Sequence, residues 1–175
     1  LANGIDLLMG GGNRFFAADK RKDKVDLYAQ FREAGYGVAR TKAEMDAMSG
    51  QAKQLGVFSE GHIPYEVDRV NSAELLANVP SLADMTQHAL RSLAGSPKGF
   101  LLQVEGGRID HAAHSNDFAA IIHDQLAFEE AVRVAMEFAE RDGDTLVVVT
   151  SDHGNSNPGI TGWAEYGEGN GVASV

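Results

Sequence analysis

Apolar and polar positions follow a repeating order along this chain: a short apolar run, a polar or glycine-rich break, then a stretch with helical spacing. Ile5-Asp6-Leu7-Leu8-Met9 is the first run and predicts a strand. Gly10-Gly11-Gly12-Asn13 then predicts a tight turn. A triple glycine also suits a phosphate cradle, but the Lys-Ser/Thr of a P-loop and the spacing of a dinucleotide fingerprint are both absent. Between Asp23 and Ala34, Val25, Leu27, Tyr28 and Phe31 predict a helix that Gly35 stops. Tyr36 to Arg40 predicts a second strand. Thr41-Lys42-Ala43-Glu44 has the form of a capping box and opens a helix to about Met48. Gln54 to Ser59 predicts a third strand.

Glu60 to Pro80 is polar, contains Pro64, and is expected to be an irregular surface loop carrying His62, Glu66, Asp68 and Arg69. Ser81-Leu82-Ala83-Asp84 is a second capping box. The helix it opens should run to about Leu93 on a stripe of Leu82, Met85, Ala89 and Leu93, with His88 on its surface or at an interface. Phe100 to Val104 and Thr145 to Thr150 are continuous apolar runs that predict two buried strands. Between them Phe118 to Arg141 is helical in pattern, with Asp117 as its N-cap and Ile121, Ile122, Leu126, Val132, Met136 and Phe138 as core positions. His123 and Asp124 on that helix are expected to be satisfied structural groups. Asp142-Gly143-Asp144 is a turn signal. Beyond Asn155 the pattern is loop, with Pro158, a glycine-rich end and Trp163, expected to pack at a local, domain or subunit contact. Strand and helix thus alternate, which predicts an α/β domain with a mostly parallel sheet flanked by helices.

With 175 residues the chain has one domain's worth of core. Its net charge of −10 speaks against a nucleic-acid binding surface, which needs clustered Lys and Arg. An anionic substrate would need a local positive site, which bound metal ions supply. No apolar run is long enough for a membrane span. The chain lacks cysteine, so disulfides play no part. It has no initiator Met and no signal peptide, and ends in a glycine-rich stretch, so it is expected to be an excerpt of a longer polypeptide.

The chemistry concentrates in Val104-Glu105-Gly106-Gly107-Arg108-Ile109-Asp110-His111-Ala112-Ala113-His114. On a helical turn Asp110 and His114, at i and i+4, lie on one face about 5–6 Å apart at Cβ. Carboxylate plus imidazole suits Zn²⁺, and Glu105 suits a harder ion such as Mg²⁺. A second group, Ser151-Asp152-His153-Gly154-Asn155, follows the Thr145–Thr150 run. A strand–helix–strand unit is almost always a right-handed parallel crossover, so both groups should open on one sheet edge, where α/β ligands gather. Glu105, Asp110, His114, Asp152 and His153 are therefore expected to converge on a centre of two or more metal ions.

These motifs resemble alkaline phosphatase. The resemblance rests on V-E-G-G-R-I-D-H-A-A-H, V-V-V-T-S-D-H-G, D-L-L-M-G-G-G-N-R-F-F and P-S-L-A-D-M-T, and runs from about Ile5 to Asn155. It implies that the chain is part of a single alkaline-phosphatase-like catalytic domain hydrolysing phosphate monoesters with two Zn²⁺ and one Mg²⁺. By it, Glu105 is the Mg²⁺ ligand, Asp110 and His114 serve the first zinc, and Asp152 and His153 serve the second. His111 falls where some members place a His near the phosphate, a supporting role. The resemblance also implies a homodimer in the periplasm or outside the cell. The family's nucleophilic serine, its phosphate-clamping Arg, a bridging Asp and a third His of the first zinc have no match here, so the isolated chain is expected to be inactive. Two alternatives stay open: a related metal-dependent phosphoryl-transfer enzyme such as cofactor-independent phosphoglycerate mutase, which shares Thr150 to Asn155, and a non-catalytic metal-binding module.

Overall fold

The structure is a computed structural model that describes residues 4–155; Pro158, Trp163 and the glycine-rich end lie outside the described residues. Its centre is β3 (Gln54–Val57), a strand buried along its whole length. It pairs in parallel with β1 (Leu7–Gly10) on one side and β2 (Gly37–Ala39) on the other, giving the order β1-β3-β2. Side chains alternate across the pleat, so each face of β3 builds its own core. Leu55 and Val57 join Tyr28, Tyr36, Phe16, Phe31 and Val38 on one face. Residues in register with Gly56, namely Met9 and Ala39, meet Phe58, Met45, Met48, Val79 and Met85 on the other. Gly56 is where a side chain is left out: a Cβ there would stand 2.4 Å from Cζ of Phe58.

The connecting helices follow local signals. α1 (Asn13–Phe16) starts inside the expected glycine turn, so that turn is shorter than the sequence suggests. α2 (Leu27–Glu33) is capped by Asp26, whose side chain accepts from the Ala29 amide, and it ends where Gly35 adopts φ 85°. α3 (Lys42–Ala47) has Thr41 accepting from the Glu44 amide, but Glu44 reaches back to the amide of Arg40 rather than of Thr41. α6 (Leu82–Leu93) carries the full reciprocal box between Ser81 and Asp84. There Lys42 joins Asp84 at 2.7 Å, tying α3 to the start of α6.

Several expectations change. The stretch 60–80 is not an irregular loop: it holds α4 (Glu66–Val70) and α5 (Ala73–Asn78). Arg69 supplies the reason, because it is buried and bidentate on Glu66, which satisfies two charges that sequence polarity alone assigns to solvent. His88 is buried, not superficial, and its Nε2 meets Oε1 of the buried Gln54 at 2.6 Å. α7 (Gly107–His114) and α8 (Phe118–Asp142) follow. Asp117 caps α8 as expected, but its buried face runs through Ala120, Asp124, Ala131 and Val134, leaving Ile122, Leu126 and Met136 exposed. α6, α7 and α4 all pack on α8, and the small alanines admit that close approach.

Phe100–Val104 and Thr145–Thr150 are not strands among the described residues. A strand exists only through a hydrogen-bonded neighbour, and neither run is paired in a ladder among the described residues. Leu101 is 96% exposed and Leu146 is 86% exposed, as apolar sheet segments without a sheet would be. None of the described helices is long and apolar enough to cross a membrane.

Gly11 holds the route from the sheet to the site. A Cβ at this position would lie 2.2 Å from the Gly61 carbonyl oxygen and 3.0 Å from the His62 carbonyl carbon. These are backbone atoms that cannot rotate aside. Gly11→Ala should therefore destabilise the chain by about 1–3 kcal/mol, the scale of overpacking. Urea unfolding followed by circular dichroism checks it, and an unchanged midpoint would show that the 59–62 loop gives way freely.

Candidate metal centre

Glu105 is followed at once by the first turn of α7, whose N-terminal flank at Gly106 lies against α8. A Cβ on Gly106 would come within 2.9 Å of Ile109 Cδ1 and 3.1 Å of Phe128 Cδ2, so the missing side chain lets the two helices meet. α7 then presents Asp110 and His114 one turn apart. Oδ2 of Asp110 stands 3.5 Å from Nε2 of His114.

The second group comes from the far side of α8. Asp152 and His153 sit in a loop that folds onto itself: the Ser151 hydroxyl donates to the His153 carbonyl and the His153 amide donates to Oδ1 of Asp152. Asn155 draws this loop onto the first group, its Nδ2 donating to Oδ1 of Asp110 at 2.7 Å. His153 Nε2 lies 4.0 Å from Asp110 Oδ1 and 3.5 Å from Asp152 Oδ2. Asp110 is thus the hub, with an imidazole beside each of its oxygens. The Asn155 hydrogen bond, then the nearby histidines, hold its carboxyl below the usual carboxylate range, so it is ionised at neutral pH.

The five sequence-predicted residues are not equally joined. Asp110, His114, Asp152 and His153 are linked in pairs, and among the described residues no three His, Asp or Glu side chains form a group that could hold an ion. Glu105 folds back over Gly107, where a Cβ would sit 3.3 Å from its Oε1, and makes no hydrogen bond or ion pair to the others among the described residues. Donor chemistry still fits zinc. Two ligands of a tetrahedral ion with bonds of ~2.0–2.1 Å leave about 3.3 Å between them, close to the 3.5 Å separations seen for Asp110 with His114 and for Asp152 with His153.

Beside this centre lies a second polar cluster. His62, expected in a solvated loop, places its ring 4.2 Å from that of His111, centroid to centroid. Its loop is fixed by the Ser59 hydroxyl, which donates to the carbonyls of Gly61 and His62. Arg108 donates from Nη1 to Nδ1 of His111 at 3.0 Å and lies over the Tyr65 ring, 3.6 Å from its centroid. Burial, with His62 and Arg108 nearby, keeps the His111 pKa below that of an ordinary histidine. Asp124 is buried under the start of α4, where the Glu66 amide approaches both its oxygens at 3.3–3.4 Å. Burial pushes its carboxyl up to about 6. Asn155, Tyr65 and Arg108 were not singled out from sequence. An amide or guanidinium carries no ligand signature, although Asn155 and Arg108 lie within the two motifs.

The family described as Alkaline phosphatase matches residues 1–170. The chain belongs to the alkaline phosphatase family. It is 38% identical over 149 residues to Alkaline phosphatase 3 of Bacillus subtilis, covering 85% of this chain and 30% of that protein. It is 35% identical over 173 residues to the Repressible alkaline phosphatase of Saccharomyces cerevisiae, with the same coverages of 85% and 30%. Among solved structures, Thermus thermophilus alkaline phosphatase superposes with a TM-score of 0.72 at 48% identity, covering 79% of this chain and 28% of that one. Alkaline phosphatase from the Antarctic bacterium TAB5 shares the fold at 24% identity and TM-score 0.67, covering 80% and 38% of the two chains. A variant of that enzyme was solved with Mg bound. The chain spans about a third of the length of the curated relatives it matches.

The raised Asp124 pKa makes a prediction about stability. Below the ordinary carboxyl value of 3.8 the group is protonated in both states and costs nothing. As pH rises, the unfolded chain loses this proton first, so stability falls until the folded pKa near 6 is passed. Asp124→Asn should flatten this fall, on the order of 2–3 kcal/mol between acid and neutral pH. Thermal unfolding at a series of pH values checks it; a wild-type pH dependence in the variant would mean that Asp124 is not the group responsible.

Proposed function

We propose that this chain is the metal-ligand part of a single alkaline-phosphatase-like catalytic domain that hydrolyses phosphate monoesters. The observation that carries the reading is Asp110, ionised, pinned by Asn155 and flanked by imidazoles from two separate motifs. In this reading Asp110 and His114 hold one Zn²⁺, Asp152 and His153 hold a second, and Glu105 holds Mg²⁺. When bound, such ions lower the pKa of coordinated water and neutralise charge on the transferring phosphoryl group. The chain's own residues keep the ligands oriented. Asn155 leaves Asp110 one constrained carboxylate oxygen, α7 sets the spacing to His114, and the Ser151–His153 turn holds Asp152 beside its neighbour. The described donors supply two ligands to each zinc, so this reading needs others from sequence beyond these motifs.

A formal charge of −10 would repel an anionic ester from the surface at large, so local metal charge is what admits it. The family match favours the phosphatase over a phosphoglycerate mutase. In this reading the complete protein is a homodimer that works in the periplasm or outside the cell.

The protein encoded by the complete open reading frame should contain zinc and magnesium by elemental analysis. It should release p-nitrophenol from p-nitrophenyl phosphate and leave 3-phosphoglycerate unisomerised. His153→Ala should lower zinc occupancy and turnover by at least the roughly 10–100-fold that even outer-shell changes cause. Unchanged zinc content in that variant would overturn the ligand assignment.

The 175-residue chain alone, loaded with both metals, should hydrolyse the same ester slower by several powers of ten. It contains no Asp-Ser pair for a nucleophile, and orientation is worth on the order of 10⁵ M in effective molarity. Turnover within about tenfold of the complete protein would show a self-sufficient site, against that orientation argument.

A further inference from the structure

We propose that Arg108 is a positioning residue: held over the Tyr65 ring, it donates to Nδ1 of His111 and so fixes that imidazole with its proton on Nε2, as a one-way donor beside Asp110.

A guanidinium has only donors, so a 3.0 Å contact from Arg108 Nη1 requires a lone pair on His111 Nδ1. The remaining ring proton is then on Nε2. A histidine's free nitrogen is set by the bond its other nitrogen makes, and here that bond comes from a group that cannot reverse its role. Two interactions keep Arg108 in place. Tyr65, directly before α4, offers its ring face at 3.6 Å. The buried carboxylate of Asp124 on α8 attracts the guanidinium. Nε of Arg108 is itself buried, with no hydrogen-bond partner among the described residues, so the group is held by stacking and charge rather than by a carboxylate fork. On the other side the His62 ring, 4.2 Å away, limits rotation of His111. The imidazole thus lies between His62 of the loop after β3 and Arg108 of α7, and Arg108 is itself backed by Tyr65.

The consequence concerns substrate recognition, and this part rests on the phosphatase reading. A donor beside the Asp110 hub suits an anionic oxygen, whereas an imidazole free to take either tautomer would offer a lone pair to that oxygen part of the time. Arg108 removes the second option without touching the substrate.

The test uses the protein from the complete open reading frame labelled with ¹⁵N-histidine and long-range ¹H–¹⁵N spectra, with His111 assigned by its loss in His111→Gln. Wild type should show one tautomer, protonated on Nε2. Arg108→Met keeps an apolar stem over Tyr65 but has no donor, and should add a population protonated on Nδ1. Arg108→Lys, which can donate, should restore the single form. Protonation on Nδ1 in wild type, or an unshifted spectrum in Arg108→Met, overturns the proposal, and the wild-type spectrum decides even if the variant does not fold. In the protein from the complete open reading frame, Arg108→Met should lower kcat on p-nitrophenyl phosphate roughly tenfold or more at unchanged zinc content, the scale of outer-shell hydrogen bonds. A shifted tautomer with unchanged kcat would remove the positioning role. A wild-type protein without hydrolytic activity would sink the phosphatase reading instead, and the tautomer spectra would still decide the Arg108 assignment.

Discussion

Everything in this fold depends on a four-residue strand with no free side. β3 is hydrogen-bonded along both edges and covered on both faces, so its register sets the position of whatever leaves its carboxyl end. What leaves is the 59–64 loop, seated against Gly11 and clamped by the Ser59 hydroxyl. That loop ends at Tyr65 and the start of α4, and α4 rests on α8 through the Glu66 amide and Asp124. A constraint that begins as strand pairing is thus carried through two turns of backbone to His62 and Tyr65, where it meets α7.

α7 is the other arm of the site, and it is fixed differently. Its own helical geometry aligns Asp110 with His114, a local matter. Its rotation against the rest of the molecule depends on Gly106 meeting Phe128 of α8 and on Arg108 stacking over Tyr65. Asn155 then attaches the second motif through a single hydrogen bond, on a loop whose carboxylate and imidazole are largely exposed. The contrast is physical. On one side Arg108 is stacked on Tyr65 above the buried Asp124, whereas the Asp152–His153 side rests on contacts with solvent at hand. Metal binding would act most strongly on the looser side, where few other contacts restrain the ligands.

The exposed apolar runs around Leu101 and around Leu146 to Val149 complete this picture. They have the composition of buried strands, but no described strand pairs with them. Composition is a property of the segment, whereas a ladder is a property of two segments. The same distinction explains His88 and Arg69. Each looks like a surface group in isolation and is buried because Gln54 and Glu66 satisfy it.

The sequence by itself determined what depends on near neighbours. The cap at Ser81, the N-cap at Asp117, the stop at Gly35 and the helical pairing of Asp110 with His114 are set within a turn or so of chain, where spacing dictates geometry. The alternation of apolar runs and helical stretches likewise made the parallel α/β class legible. Only the tertiary structure decided which polar groups are buried, that α8 turns alanines and Asp124 inward rather than its larger apolar residues, and that Asn155 meets Asp110 and His62 meets His111. These are meetings between residues some 45 or more positions apart for Asn155 with Asp110 and for His62 with His111. No local period encodes them, because what brings them together is the register of β3 and the packing of three helices on α8.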